Sequence, residues 1–283
     1  MIFDSIIIGK GPAGISAAIY LKRYGYNPLV IGKDGGALEK AHLIENYYGI
    51  DSISGNDLIE AGINQAKRLG IEVLTEEVVD ISFFDNLTVT TKDNVYQAKS
   101  IVLALGASRN RYVKADKYEG VSYCATCDGF FYRKKRLALI GNSSYMKHEL
   151  EVLENITKDI TIFTDGLPLE VEVKDNIKVI TEKITEIKGD ERIKSIHTAN
   201  EDVEIDGAFI AKGNASGFTI AKHLGIALDN NSIVVDKNFM TNIPGIFACG
   251  DIIGGLLQVS KAVSDGALCA SGVNRFLKGS FQS

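Results

Sequence analysis

Short runs of consecutive apolar residues alternate with segments of helical periodicity along much of this chain. Runs that are apolar throughout are typical of parallel strands covered on both faces. They predict strands at Ser5–Ile8, Pro28–Ile31, 100–105, Leu137–Ile140, Ile160–Phe163 and Ile246–Ala248. Apolar residues at helical spacing predict helices at 15–24, 56–69, 219–224 and Val259–Leu277. The alternation predicts an α/β fold.

Shorter segments with a strand-like pattern stand between these elements. They are found at 77–84, 87–91, 94–98, 177–180, 184–187, Ile193–His197, 203–205, 208–211 and 233–235. The chain has 283 residues, which is enough for one large domain or two domains of medium size.

The composition narrows the class of partner and compartment. The net charge of -5 argues weakly against a nucleic-acid partner. No apolar run is long enough to span a bilayer, and because a predicted strand stands at the start we expect no signal peptide. Only one close pair occurs among the 4 cysteines, which is not a disulfide framework. We therefore expect a cytoplasmic protein that binds neither nucleic acid nor membrane.

A glycine pattern joins the first predicted strand to the first predicted helix. Gly9, Gly11 and Gly14 form this pattern, with Pro12 and Ala13 between the last two glycines. In this setting the first glycine makes a tight turn, the second admits a pyrophosphate close to the backbone, and the third lets helix and strand pack closely. The phosphates then meet the helix N-terminus. The segment predicts a dinucleotide-binding turn.

The carboxylate expected to bind the ribose is displaced, because Gly32 occupies the end of the second strand. Asp34 is the nearest carboxylate and our candidate, and a solvated turn residue is the alternative interpretation. Two loops with glycine follow. We expect Gly36, Leu38 and Asn46 in these loops to lie close to the ligand, because glycine leaves the backbone uncovered.

A close cysteine pair in the middle of the chain predicts redox chemistry. Cys124 and Cys127 are separated by two residues and followed at once by Asp128. Such a pair can form a disulfide that is made and broken in turnover. We expect unpaired N–H groups at a helix start to favour the thiolate, and Asp128 to move the proton. The alternatives are half a zinc site and ordinary buried cysteines, but Cys249, Cys269 and the histidines lack the spacing of zinc ligands.

These segments, taken in order, resemble the low-molecular-weight thioredoxin reductases. The matching segments span nearly the whole chain and lie at 9–14, 35–38, 45–47, 104–106, 124–129 and 245–251. The resemblance implies the two-domain fold of the pyridine nucleotide-disulfide oxidoreductases. It implies an FAD-binding domain at 1–111 and 213–283, interrupted at 112–212 by a smaller, degenerate nucleotide-binding-like domain that carries the cysteine pair. It also implies a homodimer.

The resemblance assigns further residues to the FAD site. They are Ala104, Gly106, Gly250, Asp251, Gln258 and Val259. Asp251 matches the family residue that hydrogen-bonds the ribityl chain, and the helix from Val259 presents its positive end to the flavin. Leu257 stands where the family has an arginine. The resemblance also implies that Cys127 faces the flavin and that Cys124 attacks the substrate disulfide.

The middle of the chain departs from the family where NADPH would bind. Asn142 and Ser143 replace two glycines of the family turn, and their side chains occupy space that a pyrophosphate needs. The next strand is followed by Asp165 instead of the basic cluster that pairs with a 2′-phosphate. An acidic segment with Pro168 replaces a helix. We predict that NADPH is not the electron donor; a diverged but working pocket, for example for NADH, is the alternative.

This profile is similar to that of the ferredoxin-dependent flavin thioredoxin reductases, in which reduced ferredoxin delivers electrons to FAD one at a time. Because ferredoxins are acidic, a basic surface could steer such a partner. The candidate residues are Arg109, Arg111, Lys114, Arg133, Lys134, Lys135 and Arg136. A solvated turn is the alternative interpretation of this surface.

We predict an FAD-dependent thioredoxin-disulfide reductase whose electron donor is ferredoxin. A dithiol oxidase that passes electrons to oxygen and a flavin-bound redox sensor without turnover are the other hypotheses. We expect Cys249 and Cys269 to be inert packing residues. Phe281 in the C-terminal tail is a candidate to cover an open face of the flavin.

Overall fold

The computed structural model describes residues 2–83, 86–106, 112, 114–115, 117–212, 217–229 and 232–279, and for residues 126, 127, 217 and 218 only the backbone is described. The chain divides into two compact units: unit 1 comprises residues 1–109 and 216–283, and unit 2 comprises residues 110–215. The domain boundaries and the assignment of FAD binding made from the sequence stay predictions. Residues 111 and 213, at the predicted boundaries, lie outside the part of the chain that is described.

The elements are numbered along the whole chain. The strands are β1 Ile2–Phe3, β2 Ser5–Ile8, β3 Pro28–Ile31, β4 Glu72–Leu74, β5 Val78–Ser82, β6 Leu87–Thr91, β7 Val95–Ala98, β8 Ile101–Leu103, β9 Val121–Ser122, β10 Leu137–Ile140, β11 Ile160–Phe163, β12 Lys178–Ile180, β13 Glu186–Gly189, β14 Ile193–His197, β15 Asp202–Glu204, β16 Gly207–Ile210, β17 Leu228–Asp229, β18 Ser232–Ile233 and β19 Ile246–Ala248. The α-helices are α1 Pro12–Arg23, α2 Gly55–Arg68, α3 Ala125–Asp128, α4 Ser144–Leu153, α5 Gly217–Leu224 and α6 Val259–Leu277. Short 3-10 turns cover Gly36–Lys40, Gly129–Tyr132 and Gly250–Ile253.

Unit 1 is built on a parallel sheet in the order β19-β8-β2-β3-β4. A second sheet, β1-β7-β6-β5, and the antiparallel pair β17-β18 complete its strands in the described ranges. The central strand β2 is buried along its whole length, as its unbroken apolar run predicts. Parallel strands direct their carboxyl ends to one edge of a sheet, so the turns after β2, β8 and β19 lie near one another.

Helices α1 and α6 form the principal helix pair of unit 1. Lys22 and Arg23 in the last turn of α1 complement the helix dipole, and Pro12 at its first position needs no backbone donor there. Both helices bury small residues against each other and against β2, β8 and β19. The buried side chains include Ala13, Ile15, Ala17, Ala18 and Leu21 from α1, and Ala262, Cys269, Ala270 and Val273 from α6.

Unit 2 repeats the α/β arrangement on a smaller scale. Its parallel sheet has the order β12-β11-β10-β16-β9, and β13-β14-β15 form an antiparallel sheet beside it. Residues 164–177, which connect β11 to β12, contain no helix. This observation agrees with the interpretation of the acidic segment around Pro168.

The α/β class predicted from the sequence is confirmed in both units. One predicted strand is wrong in position: β13 begins at Glu186 and not at Ile184, because the Ile184 N–H donates to the Asp165 carboxylate at 2.9 Å and not to another strand. The cap of α2 is Ser54, whose Oγ accepts the N–H of Asp57 at 3.1 Å. No helix in the described ranges is both long and apolar enough to cross a membrane.

The helix pair predicts opposite effects for two glycine-to-alanine changes. A Cβ atom on Gly266 in α6 would lie 2.2 Å from the Ala13 carbonyl oxygen, whereas a Cβ on Gly62 in α2 would meet only Ile15 Cγ2 at 3.5 Å. We expect Gly266→Ala to destabilise the protein by about 1–3 kcal/mol, because α1 and α6 must separate. Gly62→Ala should stabilise it by about 0.5–1 kcal/mol, because alanine favours the helix. Urea unfolding measures both, and equal effects of the two variants would contradict the packing described.

Candidate active site

The first glycine turn of unit 1 is shaped by close backbone contacts. Gly9 follows β2 and has φ +117°, which residues with a side chain rarely adopt. A Cβ on Gly9 would lie 2.2 Å from the Ala104 carbonyl oxygen, and one on Gly14 would lie 1.9 Å from the Gly9 carbonyl oxygen. A Cβ on Gly11 would meet nothing closer than the Gly35 carbonyl oxygen at 3.9 Å. The turn is therefore packed on both sides and open at its middle glycine.

Helix α1 begins directly at this turn. Gly11 is its N-cap and makes no side-chain capping bond, and Pro12 occupies the first helical position. The backbone N–H groups of Ala13 and Gly14 lie in the first turn of the helix, which is the usual binding site for a phosphate. These residues come together as the sequence analysis expected. Their role in binding FAD stays a prediction.

The turn after β19 packs against the start of α1. Gly250 has φ +80°, and a Cβ on it would lie 2.7 Å from the Ala13 Cβ. Two side chains of α6 hold this turn: Asp265 Oδ2 accepts the Gly250 N–H at 3.2 Å, and Lys261 Nζ donates to the Gly250 carbonyl at 2.9 Å. Lys261 and Asp265 also form an ion pair at 2.7 Å. These contacts hold the backbone at Gly250 next to the glycine turn that precedes α1.

Asp251 carries the clearest sign of a ligand in unit 1. Its Oδ1 atom is buried and makes no hydrogen bond to any part of the protein that is described. Burial raises the pKa of Asp251, Lys261 opposes this increase, and the charge of Asp265 adds to it. A buried carboxylate oxygen without a donor is costly. A ligand with hydroxyl groups that lies at the start of α1 would supply the donor, so these residues fit the ribityl chain of FAD.

The start of α6 is tied to a loop from the first part of the chain. Gln258 is the N-cap of α6, which begins at Val259. Asn46 Nδ2 donates to Gln258 Oε1 at 2.9 Å, which brings two predicted cofactor residues together. Leu257, just before this N-cap, has 55% of its surface exposed. Gly106, at the end of the segment after β8, has φ +69° and open space where a Cβ would stand.

Asp34 is exposed and serves the turn in which it stands. Its Oδ1 accepts the Gly36 N–H at 3.0 Å, while Glu39 Oε1 accepts the Gly35 N–H at 2.6 Å. The following 3-10 turn includes Leu38. The bond to Gly36 favours the alternative interpretation, in which Asp34 is a turn residue. A contact between Asp34 and the ribose stays a prediction.

The cysteine motif of unit 2 begins at Cys124, shortly after β9, and continues through α3. Cys124 is 1% exposed and is disulfide-bonded, so its sulfur cannot ligate zinc. The side chain of Cys127 lies outside the described part of the chain, and its pairing with Cys124 stays a prediction. The cysteines that the structure describes as free, Cys249 and Cys269, are buried in unit 1. Burial raises the pKa of Cys269, and Cys249 and Asp265 raise it further.

Ser122 and Glu149 bind the backbone of the cysteine motif. Ser122 Oγ accepts the Cys124 N–H at 3.1 Å and donates to Asp128 Oδ2 at 2.7 Å. Glu149 Oε2 accepts the Ala125 N–H at 2.6 Å. The expectation of unpaired N–H groups at the start of this helix is therefore wrong for Cys124 and Ala125, because side chains from β9 and α4 occupy both.

The turn after β10 in unit 2 is closed by side chains. Asn142 is 5% exposed, and its Nδ2 donates to the Pro168 carbonyl at 3.0 Å and to Glu170 Oε1 at 3.2 Å. The Asn142 carbonyl accepts the Glu170 N–H at 2.9 Å. Ser143 is also buried. The acidic segment is thus bonded to the turn, in contrast to the open middle glycine of unit 1.

Asp165, after β11, is the centre of a polar network within unit 2. Lys212 Nζ lies 2.7 Å from Asp165 Oδ2, and the Tyr112 hydroxyl donates to the same oxygen at 3.0 Å. Lys114 Nζ lies 4.0 Å from Oδ1. Burial opposes ionisation of Asp165, but bonds from Lys212, the Ile184 N–H and Tyr112 hold its pKa below the ordinary value. A basic cluster of the family was expected at this position from the sequence, and that correspondence stays a prediction.

The basic surface predicted to steer ferredoxin is smaller than expected. Arg136 is paired with Glu204 at 2.6 Å and with Asp206 at 3.1 Å, so this residue is a correction to the prediction. Arg133 stacks over the ring of Phe130, with Cζ 4.6 Å from the ring centroid. Lys114 Nζ lies 4.0 Å from the Asp165 carboxylate. Lys134 and Lys135 are exposed, and Arg109, Arg111 and Phe281 lie outside the described residues.

Ser122 and Glu149 were not predicted from the sequence. A signal for Glu149 exists: in α4 the buried residues are Tyr145, Met146, Glu149, Leu150 and Leu153, so a carboxylate falls on the apolar face of an amphipathic helix. A charged residue in that position requires a buried partner. No comparable pattern marks Ser122, which is a single polar residue in a two-residue strand.

Comparison with known proteins gives consistent matches over nearly the whole chain. A family model described as pyridine nucleotide-disulphide oxidoreductase matches residues 3–166 and 167–266. The thioredoxin reductase of Listeria monocytogenes is 33% identical over 303 residues, covering 98% of this chain and 94% of that protein. The solved atypical thioredoxin reductase TRi from Desulfovibrio vulgaris Hildenborough is 33% identical with a TM-score of 0.89, covering 99% and 100% of the two chains. A ferredoxin-flavin thioredoxin reductase from Clostridium acetobutylicum is 27% identical with a TM-score of 0.72, covering 98% of each chain.

The Asp165 network predicts a pH-dependent stability difference. We expect Asp165→Asn to destabilise the protein by about 2 kcal/mol at pH 7, because Lys212 loses a buried partner. Since the pKa of Asp165 is lowered by folding, its contribution is complete above the unfolded pKa of about 3.9 and is lost as the pH falls through the folded pKa. The difference between wild type and variant should therefore shrink below about pH 4.

Urea unfolding at several pH values measures this difference. Asn is compatible with the φ of +53° at this position, so the change does not add backbone strain. Asp159→Asn, which changes an exposed side chain, is the control and should have little effect. A destabilisation by Asp165→Asn that persists unchanged at pH 3 would contradict the charge-based account.

Proposed function

We infer the function from the family: the chain belongs to the pyridine nucleotide-disulphide oxidoreductase family, and within it to the thioredoxin reductases. The resemblance drawn from the sequence is confirmed to this extent. We propose that the protein is an FAD-dependent reductase of oxidised thioredoxin, and that its electron donor is not NADPH but a reduced ferredoxin. The family members are flavoproteins, and the buried Oδ1 of Asp251 is the observation in this chain that supports FAD.

The residues that would hold FAD lie in unit 1. The first turn of α1 after Gly11 would bind the phosphates, Asp251 would accept from the ribityl hydroxyls, and the start of α6 at Val259 would face the flavin. When bound, FAD accepts electrons singly and delivers them in pairs, which joins a one-electron donor to a disulfide. The Lys261 and Asp265 contacts to Gly250 keep this site rigid.

The Cys124–Cys127 disulfide is the proposed route of the electrons. Its reduction breaks one S–S bond and consumes two electrons and two protons. Cys124 then attacks the disulfide of thioredoxin, Cys127 displaces the product, and the two protons pass to the released thiols. Asp128 is the proposed proton carrier, and the hydrogen bond from Ser122 at 2.7 Å orients its carboxylate.

The single observation that carries the choice of donor is the closed turn after β10. Asn142 fills this turn and binds Pro168 and Glu170, where a pyrophosphate would need the backbone. Asp165 adds a carboxylate where a 2′-phosphate would need cations. Ferredoxin is proposed because a chain with this profile resembles the ferredoxin-dependent enzymes, and because a solved neighbour is a ferredoxin-flavin thioredoxin reductase. The homodimer and the cytoplasmic location stay predictions.

An anaerobic titration tests the donor. Stoichiometric NADPH or NADH should leave the flavin absorbance of the purified protein unchanged over seconds. Photoreduced ferredoxin should bleach it, and oxidised thioredoxin should then restore it. A Cys124→Ser variant is the control, because its flavin should be bleached but not reoxidised by thioredoxin.

Two other results would be informative, the first in this titration and the second in a separate aerobic assay. Bleaching by NADPH within seconds would overturn the proposal of a different donor. Oxygen consumption driven by a small dithiol, without reduction of thioredoxin by ferredoxin, would favour the dithiol oxidase.

Asp251 predicts opposite effects on cofactor binding and on the stability of the apoprotein. We expect Asp251→Ala to weaken FAD binding about tenfold or more, because a charge-assisted hydrogen bond is lost. Because the pKa of Asp251 is raised by folding, its ionisation destabilises the apoprotein as the pH rises above the unfolded value of about 3.9. Asp251→Asn should therefore raise the melting temperature of the apoprotein at pH 7.

FAD fluorescence titration and thermal unfolding of the apoprotein measure the two effects. Asp51→Asn is the matched control, since Asp51 is exposed in the same unit. Unchanged FAD affinity in Asp251→Ala would remove Asp251 from the proposed site.

A further inference from the structure

Helix α4 holds the cysteine motif through two side chains one helical turn apart. The Tyr145 hydroxyl donates to the Tyr123 carbonyl at 3.1 Å, and Glu149 Oε2 accepts the Ala125 N–H at 2.6 Å. Tyr145 is 3% exposed and Glu149 is 2% exposed. The contacts lie on either side of Cys124, in the residue before it and the residue after it. The motif is thus held by a buried helix face and not only by its own short helix.

The contact with Ala125 has an electrostatic consequence for Cys124. Backbone N–H groups at the start of a helix stabilise a thiolate in many reactive cysteine motifs. Here the Ala125 N–H binds Glu149 and the Cys124 N–H binds Ser122 Oγ at 3.1 Å. Both groups are already engaged, and one of their partners is a carboxylate. A negative charge next to a thiol raises the pKa of the thiol.

We propose that Glu149 is a positioning residue that fixes the backbone after Cys124 and keeps the Cys124 thiol protonated in the reduced motif. This inference deepens the proposed function and rests on it, because it assigns different tasks to two carboxylates. Glu149 acts through the Ala125 backbone and holds the reduced pair in its less reactive thiol form. Asp128 takes the proton when the substrate disulfide is engaged, so that the thiolate forms at the moment of attack.

The titratable side chains that contact the motif come from two elements that pack together. Asp128 belongs to α3, and Tyr145 and Glu149 belong to α4. Tyr123 precedes Cys124 and accepts the Tyr112 N–H through its hydroxyl at 2.7 Å. Because Asp128 is a second carboxylate in the motif, the effect of Glu149 has to be measured by changing Glu149 alone.

The test compares variants that separate the hydrogen bond of Glu149 from its charge. Glu149→Gln keeps an acceptor oxygen for the Ala125 N–H and removes the charge, whereas Glu149→Ala removes both. Glu149→Asp restores the charge on a shorter side chain. Glu151→Gln, on the exposed face of the same helix, is the matched control. All are made in the flavin-containing protein with Cys127→Ser, so that Cys124 is the reactive thiol.

The measurement is the pH profile of Cys124 alkylation by iodoacetamide, followed by mass spectrometry under anaerobic conditions. We expect an apparent pKa of Cys124 at or above the ordinary value of about 8.5. Glu149→Gln should lower it by about one unit and raise the alkylation rate at pH 7 roughly five- to tenfold. Glu149→Asp should lie closer to the parent, and Glu151→Gln should superimpose on it.

Two results would overturn the inference. One is an apparent pKa of Cys124 below about 7 in the parent protein, in which Glu149 is unchanged. This result can be interpreted without any further variant. The other is a Glu149→Gln profile identical to the parent, which would leave Glu149 a purely structural cap. Neither result depends on ferredoxin or thioredoxin, so failure of the proposed donor or substrate is distinguishable from failure of this inference.

Discussion

The close packing of backbone around the first turn of α1 is the constraint on which unit 1 depends. Gly14 approaches the Gly9 carbonyl, Gly266 approaches the Ala13 carbonyl, and Gly250 approaches the Ala13 Cβ. These contacts join a turn, a helix from the far end of the chain and the turn after β19 at one point. A Cβ added to any of these glycines would push the neighbouring segments apart. Side-chain rotation cannot relieve such a contact, because the atoms that the Cβ meets are backbone atoms or another Cβ. The geometry that admits a phosphate is therefore also the geometry that holds the two chain segments of unit 1 together.

Unit 2 uses the same strand-turn-helix arrangement for a different purpose. Gly141 is still required there, because a Cβ on it would lie 2.2 Å from the Ala211 carbonyl oxygen. Ser143, the N-cap of α4, takes the position that Gly11 has before α1, and its neighbour Asn142 binds the acidic segment. The turn of unit 2 thus keeps a packing glycine but is closed by side chains, whereas the turn of unit 1 is open at Gly11. The same arrangement can therefore be open to a ligand in one unit and filled by side chains in the other.

Features that depend on local pattern were predictable from the sequence. The strands at Leu137–Ile140 and Ile160–Phe163 and the helix at Val259–Leu277 agree with their predicted bounds, because their apolar patterns are strong and continuous. The displaced start of β13 was not predictable, since the Ile184 N–H is captured by Asp165 from another element. The same holds for Arg136, whose partners lie near position 205, and for the Ala125 N–H, whose partner is 24 residues away. Long-range polar contacts leave little periodic trace, so the cysteine pair was noticed in the sequence while the partners of its backbone N–H groups were not.

Asp165 connects the two ends of unit 2. Its carboxylate gathers Tyr112 and Lys212, which lie close to the two ends of that unit, together with the backbone at Ile184. An arginine at this position would place three cations together and release both ends at once. A substitution at this position therefore affects the fold of the whole unit, because the points where the chain enters and leaves unit 2 share one carboxylate.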